Sequence, residues 1–211
     1  MLEATTRTVP TSPGRISRYT GAWLALGTAL ALSGVLRDLP QLAGAFVISS
    51  AVAWTLAYRR SEEVRRWASA LPMRAIIAAH ALRLPIGAVF LWEASRGQLH
   101  PTFADRAGWG DIAVGAVALA VAIAGARRPR VVRAFAWFGL VDILIAFGTA
   151  MYLVFVVQDP VMVAALSRLP YPLLPMAVVP LVIVTHLLML TRRSPSPAPH
   201  GARPSAPRDR R

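Results

Sequence analysis

Cysteine and lysine are both missing from this chain of 211 residues. Without cysteine there are no disulfides, zinc–thiolate centres, iron–sulfur clusters or cysteine nucleophiles, so histidine and carboxylate are left as the side chains for metal or proton chemistry. Acidic residues are scarce as well: ten Asp and Glu stand against 23 basic residues, all arginine, giving a formal charge of +13. Arginine to the exclusion of lysine points to a GC-rich bacterial genome more than to a function. Phosphate-cradling glycine loops, H-E-x-x-H spacing and a serine in a nucleophile elbow are also lacking, and no nucleophile stands beside a base, which argues against an enzyme.

What the chain has in abundance is apolar residues, 55% of the total with a mean hydropathy of +0.51. They fall in runs near twenty residues long, which is too hydrophobic for a soluble domain and suits transmembrane helices. Six spans are expected, at about 20–36, 41–58, 73–94, 111–126, 131–157 and 171–191. The fold class is therefore all-α, a polytopic bundle of six helices over 20–191. Residues 1–19, with Pro10 and Pro13, read as a flexible arm, and 192–211, rich in Pro, Ser and Arg, as a disordered basic tail. Ala31-Leu32-Ser33 resembles a signal-peptide cleavage site, but the apolar run is long and a second span follows at once, so an uncleaved first span is expected.

The arginines set the orientation. Residues 1–19, 59–74, 127–133 and 192–211 carry 18 of them, whereas the loops on the opposite side carry four, Arg37, Arg96, Arg106 and Arg168. Positive charge is retained in the cytoplasm, so both termini are expected inside, in a bacterial inner membrane. Trp23, Trp54 and Trp137 near inner span ends, and Trp92 and Trp109 near outer ones, fit interfacial belts. Topology thus accounts for the charge without nucleic acid, and the C-terminal arginines are candidates for contact with anionic lipid headgroups. The segment SEEVRRWASALP reads as a short interfacial helix with Trp67 at headgroup level.

An unpaired charge at bilayer depth costs at least roughly 2.5–3.5 kcal/mol, so each one needs a partner or a wet cavity. Arg83 lies nine residues from Arg74, and Asp142 nine residues from Arg133. At the helical rise both sit about 13 Å deep, which makes them natural partners. Asp142 shares a stripe with Phe135, Gly139, Ala146 and Thr149, mostly small residues suited to close helix approach. Their pairing is read either as a tie between the third and fifth spans or as part of a site that binds or moves a solute or proton.

His80 and His186 show a second depth match, each six residues from an edge arginine and about 9 Å deep. Two histidines on different helices at one depth are candidates for axial ligation of a b-type haem or for half of a metal site, although no carboxylate at that depth completes a metal triad. The competing reading is a hydrogen bond to a neighbouring hydroxyl, with Thr185 and Thr191 nearby. No cofactor is the simplest expectation. Pro85 and Pro180 interrupt the two histidine-bearing spans and should bend them.

Between the third and fourth spans, GQLHPTFADRAGWGD reads as an outer loop. Gly97 ends one helix, His100-Pro101 starts a turn, and Asp111, preceded by Gly108 and Gly110, is placed to cap the next helix. Phe103 and Trp109 would dip to the interface as a lid. Glu93 is expected to pair with Arg96 three residues on.

His80-x-x-Arg83, Phe90-Leu91, Gly97-Gln98-Leu99, Phe103-Ala104 and Ala107-Gly108-Trp109-Gly110-Asp111 resemble a group of small uncharacterised bacterial integral membrane proteins. That group shares an intramembrane H-x-x-R, an outer loop reading roughly G-x-L-P-x-x-F-A-x-x-A-G-x-G-D, and a late proline-bearing helix with histidine, which Pro180 and His186 match. The resemblance covers roughly 75–190. It implies multi-span helical architecture, with His80, Arg83, Asp111 and His186 as the matching polar positions. Here Leu99-His100-Pro101 replaces the simpler Leu-Pro, which sets His100 apart from the shared pattern.

Three functions follow as expectations. The first is a small-solute or proton binding and permeation module, with His80, Arg83, Asp142 and His186 lining a polar pocket. The second is a haem or metal redox protein using His80 and His186. The third is a structural accessory subunit docking on a protein partner that the sequence does not name.

Overall fold

The computed structural model describes residues 14–192, and these are all helix, turn and short connection, with no strand among the described residues. Apart from a single helical turn at Val35–Asp38, eight helices follow in order among the described residues: α1 Gly14–Leu32, α2 Gln41–Arg60, α3 Glu62–Ala70, α4 Met73–Ser95, α5 Pro101–Gly125, α6 Pro129–Val157, α7 Pro160–Ala165 and α8 Leu174–Thr191. Five of them, α2, α4, α5, α6 and α8, are long and apolar enough to cross a membrane, the pattern of a multi-pass membrane protein.

α1 is not among those five. Within the described residues it runs from Gly14, ahead of the apolar run expected from residue 20, and Arg18 and Thr20 return their side chains to the carbonyls of Gly14 and Ile16. The polar end of the helix includes Arg15 and Arg18, which dilutes its hydropathy. The remainder of the arm expected over 1–19, and the tail beyond Arg192, lie outside the described residues.

The largest departure from expectation is at α5. Its start is ten residues earlier than the span expected at Asp111, since His100 Nδ1 accepts the Thr102 N–H at 3.1 Å and Pro101 takes the first helical position. Phe103, Ala104, Ala107, Gly108 and Asp111 then recur at helical spacing on the buried face, while Asp105, Arg106 and Trp109 point outward. The expected lid is therefore the outermost part of a spanning helix. The true connection is only 96–100, turned by Gly97 at φ +67°.

α5 is the most enclosed of the five spanning helices and α2 the least. α3 is amphipathic and N-capped by Ser61, whose hydroxyl accepts the Val64 N–H. In α7, Asp159 caps in the same way, through Met162. Four apolar clusters fill the described bundle; one lies toward one end, built on Phe90, Phe103, Leu153 and Tyr171, one toward the other, built on Ile77, Val114, Phe135 and Met189, and two smaller ones centre on Leu36 and Met176 and on Val47 and Ile183.

Candidate functional site

Pro85 has no N–H to return to Ala81, and the helix tightens into a 3-10 turn over His80–Leu82 just before it. That local change sets His80 and Arg83 on the buried side of α4, each with 4% of its surface exposed.

Arg83 reaches across to two helices. Its Nε donates to Asp111 Oδ1 of α5 at 2.6 Å, its Nη2 donates to Asp142 Oδ2 of α6, and its Nη1 lies 3.5 Å from the Gly139 carbonyl oxygen. Asp111 is buried and Asp142 is partly covered. Asp111 is thus neither in a loop nor a cap; it is the second partner of Arg83, which the sequence reading missed. The signal was present: F-A-x-x-A-G-x-x-D carries the helical spacing of three and four that would have extended the helix outward and drawn Asp111 inward.

Missing Cβ atoms make this approach possible. A Cβ on Gly110 would collide with the Asp142 carboxylate, and one on Gly87 with the backbone of Gly108. Gly108 and Gly110 therefore act as close-approach positions between spans, and not as the loop punctuation expected before the fourth span.

One turn along α4, the imidazoles of His80 and His186 lie 4.3 Å apart between centroids, tilted by 33°. Phe135 meets both rings at 5.7 Å. His80 Nε2 and Thr185 Oγ1 are hydrogen-bonded at 3.1 Å, whereas His186 is fully buried and neither of its ring nitrogens has a partner. A Cβ on Gly139 would run into the His186 ring. Two ligands of one haem must face each other from opposite sides of the porphyrin plane; rings whose centroids lie 4.3 Å apart leave no room for that plane, so they do not fit a bis-histidine haem. Nor do the described residues hold any cluster of three or more His, Asp or Glu able to bind a metal ion.

Beyond Arg83 and Asp111 lies a narrow apolar chamber of about 90 Å³. The charged pair lines one end; Phe90, Leu99, Phe103, Met162 and Tyr171 line the other. His80 and His186 are not among its lining residues.

Above it, Arg168 donates to Glu93 Oε2 at 2.8 Å, to the Gln98 side-chain oxygen, and to the Gln98 carbonyl at 3.2 Å, with its guanidinium 5.4 Å from the Tyr171 ring. Glu93 is thus paired with Arg168 of the distant connection, and not with Arg96, which stacks over Trp92 at 4.8 Å. The buried hydroxyl of Tyr171 is pushed up to about 12, first by burial and then by the Glu93 carboxylate, with Arg168 opposing.

The sequence-derived residues thus divide into groups. Arg83 and Asp142 meet, together with Asp111; His80 and His186 meet one turn away; Phe103 lines the chamber's far end; Trp109, 61% exposed, faces outward; and Gly110 is a close-approach position.

Neither the curated proteins nor the solved structures offer a match to this chain. Residues 39–192, which take in every spanning helix and every residue of the cluster, match the model of a Domain of unknown function (DUF8737), and the chain belongs to that family.

Proposed function

We propose that the protein is a proton or small-solute binding and permeation module, with the Arg83–Asp111–Asp142 cluster as its site and the His80–His186 pair beside it. The observation behind this reading is the charge count. One guanidinium between two carboxylates leaves a formal charge of −1 at the inner end of an apolar chamber. A low-dielectric interior penalises an uncompensated charge, so the cluster reaches neutrality by holding a proton or by receiving a cationic group. Arg83 keeps one carboxylate paired while the other exchanges. The histidine pair and Thr185 extend the hydrogen-bonding groups toward the opposite side of the membrane.

In this proposal α1 supplies a sixth span, and both termini face the cytoplasm of a bacterial cell because most arginines gather on that side. The outward chamber and its Glu93–Arg168 closure then belong to the far side.

The test is infrared difference spectroscopy of the purified protein at neutral pH, followed by potential-driven proton flux into proteoliposomes. A protonated carboxyl band is expected, lost in Asp142→Asn or Asp111→Asn, with flux falling at least about tenfold. Wild-type vesicles no more permeable than empty ones, and no carboxyl band, would sink the proposal.

One observation favours a second reading. Arg83 already engages Asp111, Asp142 and the Gly139 carbonyl, as a purely structural tie between α4, α5 and α6 would. Flux and the infrared band separate the two, since a tie predicts neither.

A further inference from the structure

At the end of the bundle opposite the chamber's closure, the termini of α4, α5, α6 and α8 leave a groove of about 600 Å³. Its lining mixes three arginines, Arg127, Arg133 and Arg192, with the apolar side chains of Met73, Val132, Met189 and Leu190. None of the described residues lining it is acidic.

The three arginines are not equivalent. Arg192 is committed, donating to the Leu71 and Ser69 carbonyls. Arg127 and Arg133 are exposed, and no described group bonds their guanidiniums. Two exposed cations with no bonded partner among the described residues therefore share a cleft with aliphatic side chains, at the level where the apolar helices end.

We infer that this groove binds the headgroup of an anionic phospholipid, with the phosphate between Arg127 and Arg133 and the upper acyl chain against Met73, Val132, Met189 and Leu190. Guanidinium groups match phosphate oxygens in geometry and charge. A soluble anion would use the arginines and leave the aliphatic lining wet. A zwitterionic lipid would use the aliphatic lining but bring its own cation to the arginines. An anionic phospholipid satisfies both kinds of lining residue, and basic clefts between helices at a membrane edge suit such headgroups. The site lies apart from the Arg83 cluster and stands whether or not that cluster moves protons.

The experiment uses the full chain in mild detergent, with melting temperature read against added dioleoylphosphatidylglycerol or dioleoylphosphatidylcholine at equal mole fraction. Phosphatidylglycerol is expected to raise the transition by about 4 °C more than phosphatidylcholine. The double variant Arg127→Gln/Arg133→Gln should lose that difference. Arg128→Gln/Arg130→Gln, two exposed arginines of the same turn that do not line the groove, should keep it.

Equal shifts with both lipids would overturn the inference. So would a control variant losing as much as the groove variant, since the effect would then be general surface charge. Inorganic phosphate alone reproducing the full shift would replace the lipid with a soluble anion. Should the groove variant fail to fold, native mass spectrometry of the wild type decides: retention of phosphatidylglycerol over phosphatidylcholine through delipidation supports the site, and equal loss of both overturns it.

Discussion

Arg83 and Arg168 both hold helices together through carboxylates, Arg83 lining the chamber with 4% of its side chain exposed and Arg168 behind the Tyr171 ring that lines it, with 41% exposed. Arg83 faces two carboxylates in an apolar surround; Arg168 faces one, plus a glutamine and the face of a tyrosine ring. The inner cluster is formally negative and the outer one neutral. Burial makes the first costly to break and, in the proposed function, the place for an extra proton, while exposure lets water replace any partner the second loses. Two arginine–carboxylate ties in one molecule therefore differ in energy and in chemistry.

Removing Arg83 should give the largest effect. Arg83→Ala leaves two buried carboxylates side by side, and a loss of about 3–5 kcal/mol is expected, read as falling yield and melting temperature in detergent. Replacing the whole cluster, Arg83→Met with Asp111→Leu and Asp142→Leu, removes the charges together. This variant should recover most of that stability while showing no carboxyl band and no proton flux. If it stays as unstable as Arg83→Ala, the cluster's weight lies in its shape and not in its charges.

Much of this contrast can be read from spacing along the chain, and some of it cannot. Arg83 and Asp142, and likewise His80 and His186, are brought to equal depth by the helical rise, and in the structure each pair is in contact. Depth alone does not give rotation about the helix axis. It therefore could not show that the tilted imidazoles approach to 4.3 Å between centroids, which is what removes the haem fit. Asp111 was hidden by composition: GQLHPTFADRAGWGD is polar and glycine-rich enough to pass for a loop, although its buried residues recur at helical spacing. Arg168 was out of reach for a different reason. Glu93 has Arg96 one turn away, and local proximity outweighed a partner 75 residues along the chain.

Between the two arginines in expected size stands Tyr171, whose ring packs against the Arg168 guanidinium. Its ordinary value is 10.0 and the folded protein holds it near 12, so the folded state keeps this proton where the unfolded chain releases it. The stability associated with this shift is fully present below about pH 10 and is lost as pH rises toward about 12. Melting temperatures of the wild type should therefore fall across that window more steeply than those of Tyr171→Phe. Parallel curves would mean that the ring packs there without its hydroxyl mattering.

The smallest effect is expected at Arg168 itself. Arg168→Ala removes a half-exposed pair, and exposed pairs contribute about 0–1 kcal/mol, so the melting temperature should change little. What little it does should shrink further in high salt, where exposed charges are screened, whereas the Arg83→Ala loss should hardly respond to salt. Measuring both variants at low and high ionic strength sets the two ties directly against each other. A salt-insensitive loss of several kcal/mol at Arg168 would mean that the outer closure is as sealed from water as the inner cluster, and the chamber would then be shut at both ends.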